Sequence, residues 1–319
     1  MSAPPPVRPV TLDDIRAARE RIRGVATRTP LVRLLHGIEG APEIWLKLEN
    51  LQPINAFKLR GGANAVAMLS AEQRERGVWT ISAGNAGQGV AYAAREAGVP
   101  CTVLVIETAP ETKIDRMRAL GATLVKAPFD ACWQAMDDRA FPGIEGTFIH
   151  PFDDHDFIAG NATAGLEIVE DLPHLKTVVG AIGGGGLMSG IGSAIRALAP
   201  HVRILGAEPE TAAPGARSFA ANAPRVFDEW QASFVDGAGG KSIFPRMWER
   251  IRHVLDGSVV VTLEEVRQAM KLMALKTRVI AEGAGALGVA AALKETDGPV
   301  VAVVSGGNID LKKFCELVS

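Results

Sequence analysis

A chain of 319 residues, 47% apolar and 22% charged, has the make-up of a globular protein with about two domains and a substantial core. Thirty-four Lys and Arg against 36 Asp and Glu leave a formal charge of −2, which argues against a polyanion partner such as nucleic acid and against a charged membrane surface. No apolar run reaches the roughly 18 residues of a membrane span, and the opening segment 1–6 reads as a loose tail without the regions of a signal peptide. Cys101, Cys132 and Cys315 lack CxxC spacing and suit a reducing, cytoplasmic setting.

Thr11 with Asp13 and Asp14, followed by Ile15 and Ile22, predicts a capped amphipathic helix ending near Gly24. An apolar run from Trp45 reads as a strand, Gln52-Pro53-Ile54-Asn55 breaks it, and the periodic segment from Ala56 reads as a helix. Lys58 falls in the first turn of that helix. There the dipole and the unpaired N–H groups disfavour a cation and favour the neutral amine that Schiff-base chemistry requires. Ser70-Ala71-Glu72-Gln73 is a capping box. Beyond it, apolar runs at 78–82, 101–106 and 122–127 alternate with helical patterns at 84–97, 110–120 and about 130–139, and 147–150 is a further strand candidate. This alternation predicts βαβ units on a parallel sheet, with 76–152 as one compact unit. The second half predicts strands at 177–182, 203–207 and 300–304 and helices at 187–198, 262–277, about 283–294 and 309–317. The Ala-, Gly- and Pro-rich segment 212–244 receives no assignment.

Ligands of open α/β sheets bind beyond the carboxyl ends of the strands, where loops lead into helices. Four loops carrying informative motifs, the turn before Lys58 among them, fall at such points. Gly183, Gly184, Gly185 and Gly186, followed by Leu187, form either a tight turn or a backbone cradle for a phosphate at a helix N-terminus. Ser189 stands where a dinucleotide fingerprint needs its third glycine, and Val235 where a P-loop ending at Ser242 needs its first. The loop Ser82-Ala83-Gly84-Asn85-Ala86 either caps a helix or offers a hydroxyl, an amide and backbone N–H groups to a carboxylate. Ser305-Gly306-Gly307-Asn308 can direct a hydroxyl into the same crevice.

Taken together, these loops resemble those of the fold type II pyridoxal-phosphate enzymes, specifically the serine/threonine dehydratases and serine racemase. The resemblance runs from the first helix to the C-terminus. It rests on Lys-Leu-Glu-Asn-Leu-Gln-Pro with Phe57-Lys58-Leu59-Arg60-Gly61, Ser-Ala-Gly-Asn with Gln88-Gly89, His150-Pro151-Phe152-Asp153-Asp154, the tetraglycine loop, Ala207-Glu208-Pro209, Asp236-Gly237 and Ser305-Gly306-Gly307-Asn308. It implies the tryptophan synthase β-like α/β fold of two domains, each an open, mostly parallel twisted sheet flanked by helices, with the cofactor in the cleft between them. The large domain is then 1–75 with 153–319, and the small domain 76–152.

By the same resemblance the cofactor is pyridoxal 5'-phosphate. Lys58 binds it as a Schiff base and then removes the Cα proton of the substrate, Phe57 lies against the ring, and Asn85 meets the ring hydroxyl. Gly183 to Gly186 and Leu187 hold the phosphate, and Ser305 meets the pyridine nitrogen. Ser82, Ala83, Asn85 and Ala86 receive the substrate carboxylate. The implied reaction is loss of water from a 3-hydroxy amino acid such as threonine or serine, giving a 2-oxo acid and ammonia. A racemase, a β-replacement synthase and an idle binding protein on the same fold are the competing readings, and a homodimer is the family's usual assembly.

Three departures from the family pattern stand out. Ile54-Asn55-Ala56 replaces a Thr-Gly-Ser type segment, and Ala86 replaces a common histidine, which opens the expectation of a bulkier substrate such as 3-phenylserine. Glu208 is either an ordinary strand-end carboxylate or one ligand of a divalent-cation site whose completing acid is replaced near Pro214. The metal is left open. Glu282 aligns with a family Glu near the ring, without an assigned role.

Overall fold

The computed structural model describes residues 6–319, so all but Pro6 of the tail expected at 1–6 lies outside the described residues. Its strands are β1 (Leu31–Leu34), β2 (Ile44–Leu48), β3 (Val78–Ile81), β4 (Cys101–Ile106), β5 (Thr123–Ala127), β6 (Thr147–Phe148), β7 (Thr177–Ala181), β8 (Arg203–Pro209), β9 (Gly257–Val261) and β10 (Val300–Val304). They form a six-stranded sheet in the order β1-β2-β10-β7-β8-β9 and a four-stranded sheet in the order β5-β4-β3-β6. Every pairing is parallel except that of β1 with β2. The inner strands β7 and β10 are buried at every position, as Val-rich strands covered on both faces must be.

Local chemistry sets many of the helix starts. Thr11 with Asp14, Ser70 with Gln73 and Thr262 with Glu265 each close a reciprocal capping box. The expected strands and helices are present, with ends shifted by no more than three residues. Sequence periodicity misses the edge strands β1 and β9 and the helices Pro214–Ala221 and Pro245–Ile251.

The largest omission is the 17-residue helix His155–Asp171, which is buried continuously from Phe157 to Ile168. A helix wrapped on all sides has no polar face, so it gives no 3.6-residue alternation to read. It packs against the helix Lys58–Ala67 so tightly that a Cβ added at Gly160 would lie 2.3 Å from the carbonyl oxygen of Arg60.

Four charged side chains lock β2 and these two helices together. Arg60, 1% exposed, donates to both oxygens of Glu49 at 2.7 and 2.8 Å and to both oxygens of Glu167 at 2.7 and 2.8 Å. Lys47, also buried, donates to Glu167 at 2.6 Å and to the Thr29 carbonyl at 2.7 Å. Burial alone would raise the Glu49 carboxyl, but Arg60 and Lys47 more than reverse this and hold it ionised. The group is neutral as a whole, and Thr29, Gln52 and Thr163 take up further hydrogen bonds. Arg60→Leu leaves two carboxylates without their shared cation and is expected to cost about 3–5 kcal/mol. The measurement is a lowered urea midpoint, and Arg60→Lys should not restore it because an ammonium cannot fork to both acids.

Candidate active site

Lys58 opens the helix Lys58–Ala67, with Phe57 at the N-cap. The preceding turn requires a left-handed residue, and Asn55 takes that position with φ 57°. Asparagine tolerates this conformation best among residues with a side chain, which accounts for its standing where the resembled family has glycine. The turn is pinned to the end of β10: Phe57 N donates to the Ser305 carbonyl at 3.0 Å, and Ala56 makes an antiparallel bridge with Gly306. The half-buried Lys58 thus has a fixed base next to Ser305. Its Nζ donates to the Pro151 carbonyl at 2.6 Å and lies 5.2 Å from the Phe57 ring centre and 5.4 Å from that of Phe157. Burial lowers its pKa from 10.5 to about 8. The sequence argument from the helix end points in the same direction, but desolvation is the cause.

The tetraglycine loop follows β7 and leads into the helix Gly186–Leu198, which has no side-chain cap. Gly185 has φ +86°, and a Cβ at Gly184 would sit 2.3 Å from the Phe152 ring. A Cβ at Gly183 would lie 2.8 Å from the Gly237 carbonyl oxygen. The 3-10 turn Asp236–Ala238, inside the segment left unassigned from sequence, therefore straps this loop. Beside the helix start, the Asn161 amide nitrogen donates to Gly186 O at 3.4 Å, while its buried Oδ1 lacks a partner.

From the four-stranded sheet, the loop after β3 brings Ser82 to Ala86. The Ser82 hydroxyl accepts from Gly84 N at 3.1 Å, and Gly84, not Ser82, is the N-cap of the helix Asn85–Ala97. Asn85 Nδ2 donates to Glu282 Oε1 at 2.7 Å, and Asn85 Oδ1 accepts from Asn308 Nδ2 at 2.8 Å. Asn308 also donates to the Ile54 carbonyl at 2.8 Å and accepts from Arg116 at 2.8 Å. Ser305 is 4% exposed and Ala83 packs against the core of the smaller sheet. Ala86 is buried, at 5% exposure.

Glu208 accepts from Gly215 N at 2.7 Å, Ala216 N at 2.8 Å and the Ser258 hydroxyl at 2.6 Å. It serves the start of the helix Pro214–Ala221, with its lone pairs already engaged. Among the described residues, no group of three or more His, Cys, Asp or Glu side chains could hold a metal ion.

Sequence reasoning also missed the arginines around Asp153. Arg139 at 2.8 Å, Arg246 at 2.6 Å and Arg250 at 3.1 Å converge on this buried carboxylate, next to the phenylalanine that covers Gly184. Only the chain fold brings them together.

The glycine loop with no room for a Cβ, the uncapped helix start and the lysine of lowered pKa fit a phosphate-bearing aldehyde cofactor. The match to the family described as pyridoxal-phosphate dependent enzyme covers residues 22–306, and the chain belongs to that family. Its cofactor is pyridoxal 5'-phosphate and its architecture is fold type II. The L-threonine ammonia-lyase of Thermotoga maritima is 40% identical over 97% of this chain and 78% of its own length. The catabolic L-threonine dehydratase of Staphylococcus aureus is 36% identical over 97% of this chain and 92% of its own. Among solved structures, serine racemase from Dictyostelium discoideum superposes with a TM-score of 0.85 at 32% identity, covering 95% of this chain and 99% of that one.

Burial and the nearby Arg139 lower the pKa of His150 from 6.5 to about 3, while its Nδ1 accepts from Asp153 N at 3.0 Å. The unfolded chain therefore binds a proton between about pH 6.5 and 3 that the folded chain refuses, and stability falls as pH drops through that window. His150→Asn, which keeps an acceptor but does not titrate, should flatten this slope in acid-unfolding curves.

Proposed function

We propose that the protein is a pyridoxal-phosphate-dependent ammonia-lyase that eliminates water from L-threonine or L-serine to release an enamine, which tautomerises to the imine and takes up water to give a 2-oxo acid and ammonia. The observation that carries this reading is the half-buried Lys58 amine, its pKa lowered to about 8, held beside Ser305 in the cleft that also contains the glycine cradle. The relatives named L-threonine ammonia-lyase and L-threonine dehydratase support it at 40% and 36% identity.

The cofactor, when bound, conjugates the substrate's amino nitrogen with its ring and so acidifies the Cα–H bond. Lys58 takes the Cα proton, for which a neutral amine is required. Gly183 to Gly186 and Leu187 hold the phosphate through backbone N–H groups, Phe57 lies against the ring, and Asn85 meets the ring hydroxyl. Ser305 would meet the pyridine nitrogen with a hydroxyl, which does not hold a proton there as a carboxylate would, and this favours elimination of the β-hydroxyl. Ser82, with the backbone around Ala83, Asn85 and Ala86, receives the substrate carboxylate. With Ala86 where the resembled family commonly has a histidine, a bulkier substituent such as the phenyl group of 3-phenylserine is the alternative to the methyl group of threonine. We further propose that residues 76–152 act as a small domain against 1–75 and 153–319. The free cysteines support a cytoplasmic location, and the homodimer follows from the family resemblance.

Borohydride reduction of the holoenzyme followed by peptide mapping should place the cofactor mass on Lys58, and uptake of cofactor by the apoprotein should rise with pH through about 8. Attachment at Lys47 or Lys241 would sink the assignment. The reaction itself is tested by 2-oxo acid release from L-threonine, L-serine and 3-phenylserine.

The likeness to serine racemase raises a second reading. Racemisation needs a proton donor on each face of the carbanion, and Ala83 stands where serine racemase has a serine. Alanine cannot transfer a proton, so L-serine in deuterated water should yield oxo acid with little D-serine. Rapid D-serine formation would assign that face to another residue.

A further inference from the structure

Asn85 reaches the cleft from the small sheet, and its amide could face a ligand with either its oxygen or its nitrogen. The surrounding hydrogen bonds allow only one orientation. The Ile54 carbonyl is an acceptor and the Arg116 guanidinium is a donor. Asn308 lies between them, so its nitrogen must face Ile54, at 2.8 Å, and its oxygen must face Arg116, at 2.8 Å. The remaining hydrogen on Asn308 Nδ2 then goes to Asn85 Oδ1 at 2.8 Å, which fixes the way the Asn85 amide is turned and engages one lone pair of its oxygen. Asn85 Nδ2 gives one hydrogen to Glu282 at 2.7 Å. Its second N–H is what the side chain has left to offer.

Resting on the reading that Asn85 meets the ring hydroxyl, we propose that Asn308 is a positioning residue that, oriented by Arg116 and the Ile54 carbonyl, fixes Asn85 as a hydrogen-bond donor toward the cofactor's ring oxygen. A donor there stabilises that oxygen as an anion. Arg116 lies on the helix Glu111–Ala119 between β4 and β5, and Asn308 lies just after β10. The orientation therefore depends on the smaller sheet being docked against the larger. Neither side chain has to touch the cofactor to act.

The test uses the holoenzyme and reads the cofactor's absorbance as a function of pH, together with its dissociation constant. Asn308→Asp keeps the shape but cannot donate to Ile54 or Asn85. It should weaken cofactor binding at least about fivefold and displace the midpoint of the absorbance titration. Arg116→Met removes a donor from the molecular surface and should displace the midpoint in the same direction by less, while Arg116→Lys, which can still donate, should return it toward the native value. Asn85→Ala separates the two layers of the argument. If it leaves the spectrum unchanged, the ring-hydroxyl reading fails. If it changes the spectrum while both Asn308→Asp and Arg116→Met match the native protein, the positioning role is overturned. If Asn308→Asp does not fold, Arg116→Met decides: a native titration overturns the proposal and a displaced one supports it.

Discussion

The buried arrangement of Lys47, Glu49, Arg60 and Glu167 is the constraint on which the rest of the site depends. Arg60 lies two positions after Lys58 on one helix, and Glu49 follows directly on β2. By gripping both acids, Arg60 fixes the rotation of the helix and so the direction in which Lys58 leaves it. Burying four charges offers little net stability over a well-packed apolar substitute, because their desolvation offsets most of the attraction. What the arrangement supplies is geometric definition: a fork of fixed angle between two carboxylates tolerates one placement of strand, lysine helix and buried helix.

A different constraint operates across the cleft. The large sheet contributes Lys58, the glycine cradle and Ser305, and hydrogen bonds at the turn before Lys58 join the first and last of these directly. The smaller sheet contributes the loop from Ser82 to Ala86, joined to the other side through Asn85, Glu282 and Asn308. One set of contacts is backbone, made just beyond the carboxyl end of an inner strand of a single sheet. The other is made by side-chain amides and a carboxylate across a seam.

How much of this could be read from the sequence follows from the range of the forces involved. Capping boxes and βαβ alternation are local, and Thr11, Ser70 and Thr262 announce their helices before any fold is known. Lys58 and the tetraglycine loop were legible because each needs a particular residue type at a strand-to-helix turn. The helix His155–Asp171 was not, since complete burial removes the polar face that periodicity detects. Arg60 and Lys47 were quoted as parts of a motif, yet their partner Glu167 lies 107 and 120 positions further on. No local pattern can supply such a pairing. The strap at Asp236–Ala238 stayed hidden because a 3-10 turn among Ala and Gly carries no periodic signal. Glu208 reads from sequence as either a strand-end carboxylate or a metal ligand because its donors are mostly backbone N–H groups, which sequence does not distinguish.

The joining of the turn before Lys58 to the end of β10 has an evolutionary consequence. Lys58 and Ser305 keep their spacing through backbone contacts that do not involve the loop at 82–86, so on the proposed reading substitutions at Ser82, Ala83 or Ala86 can alter how a substrate carboxylate is received without moving the lysine. On that reading, change at these three positions leaves the lysine's footing in place, whereas an equivalent change beside Ser305 or Asn55 would disturb the lysine itself.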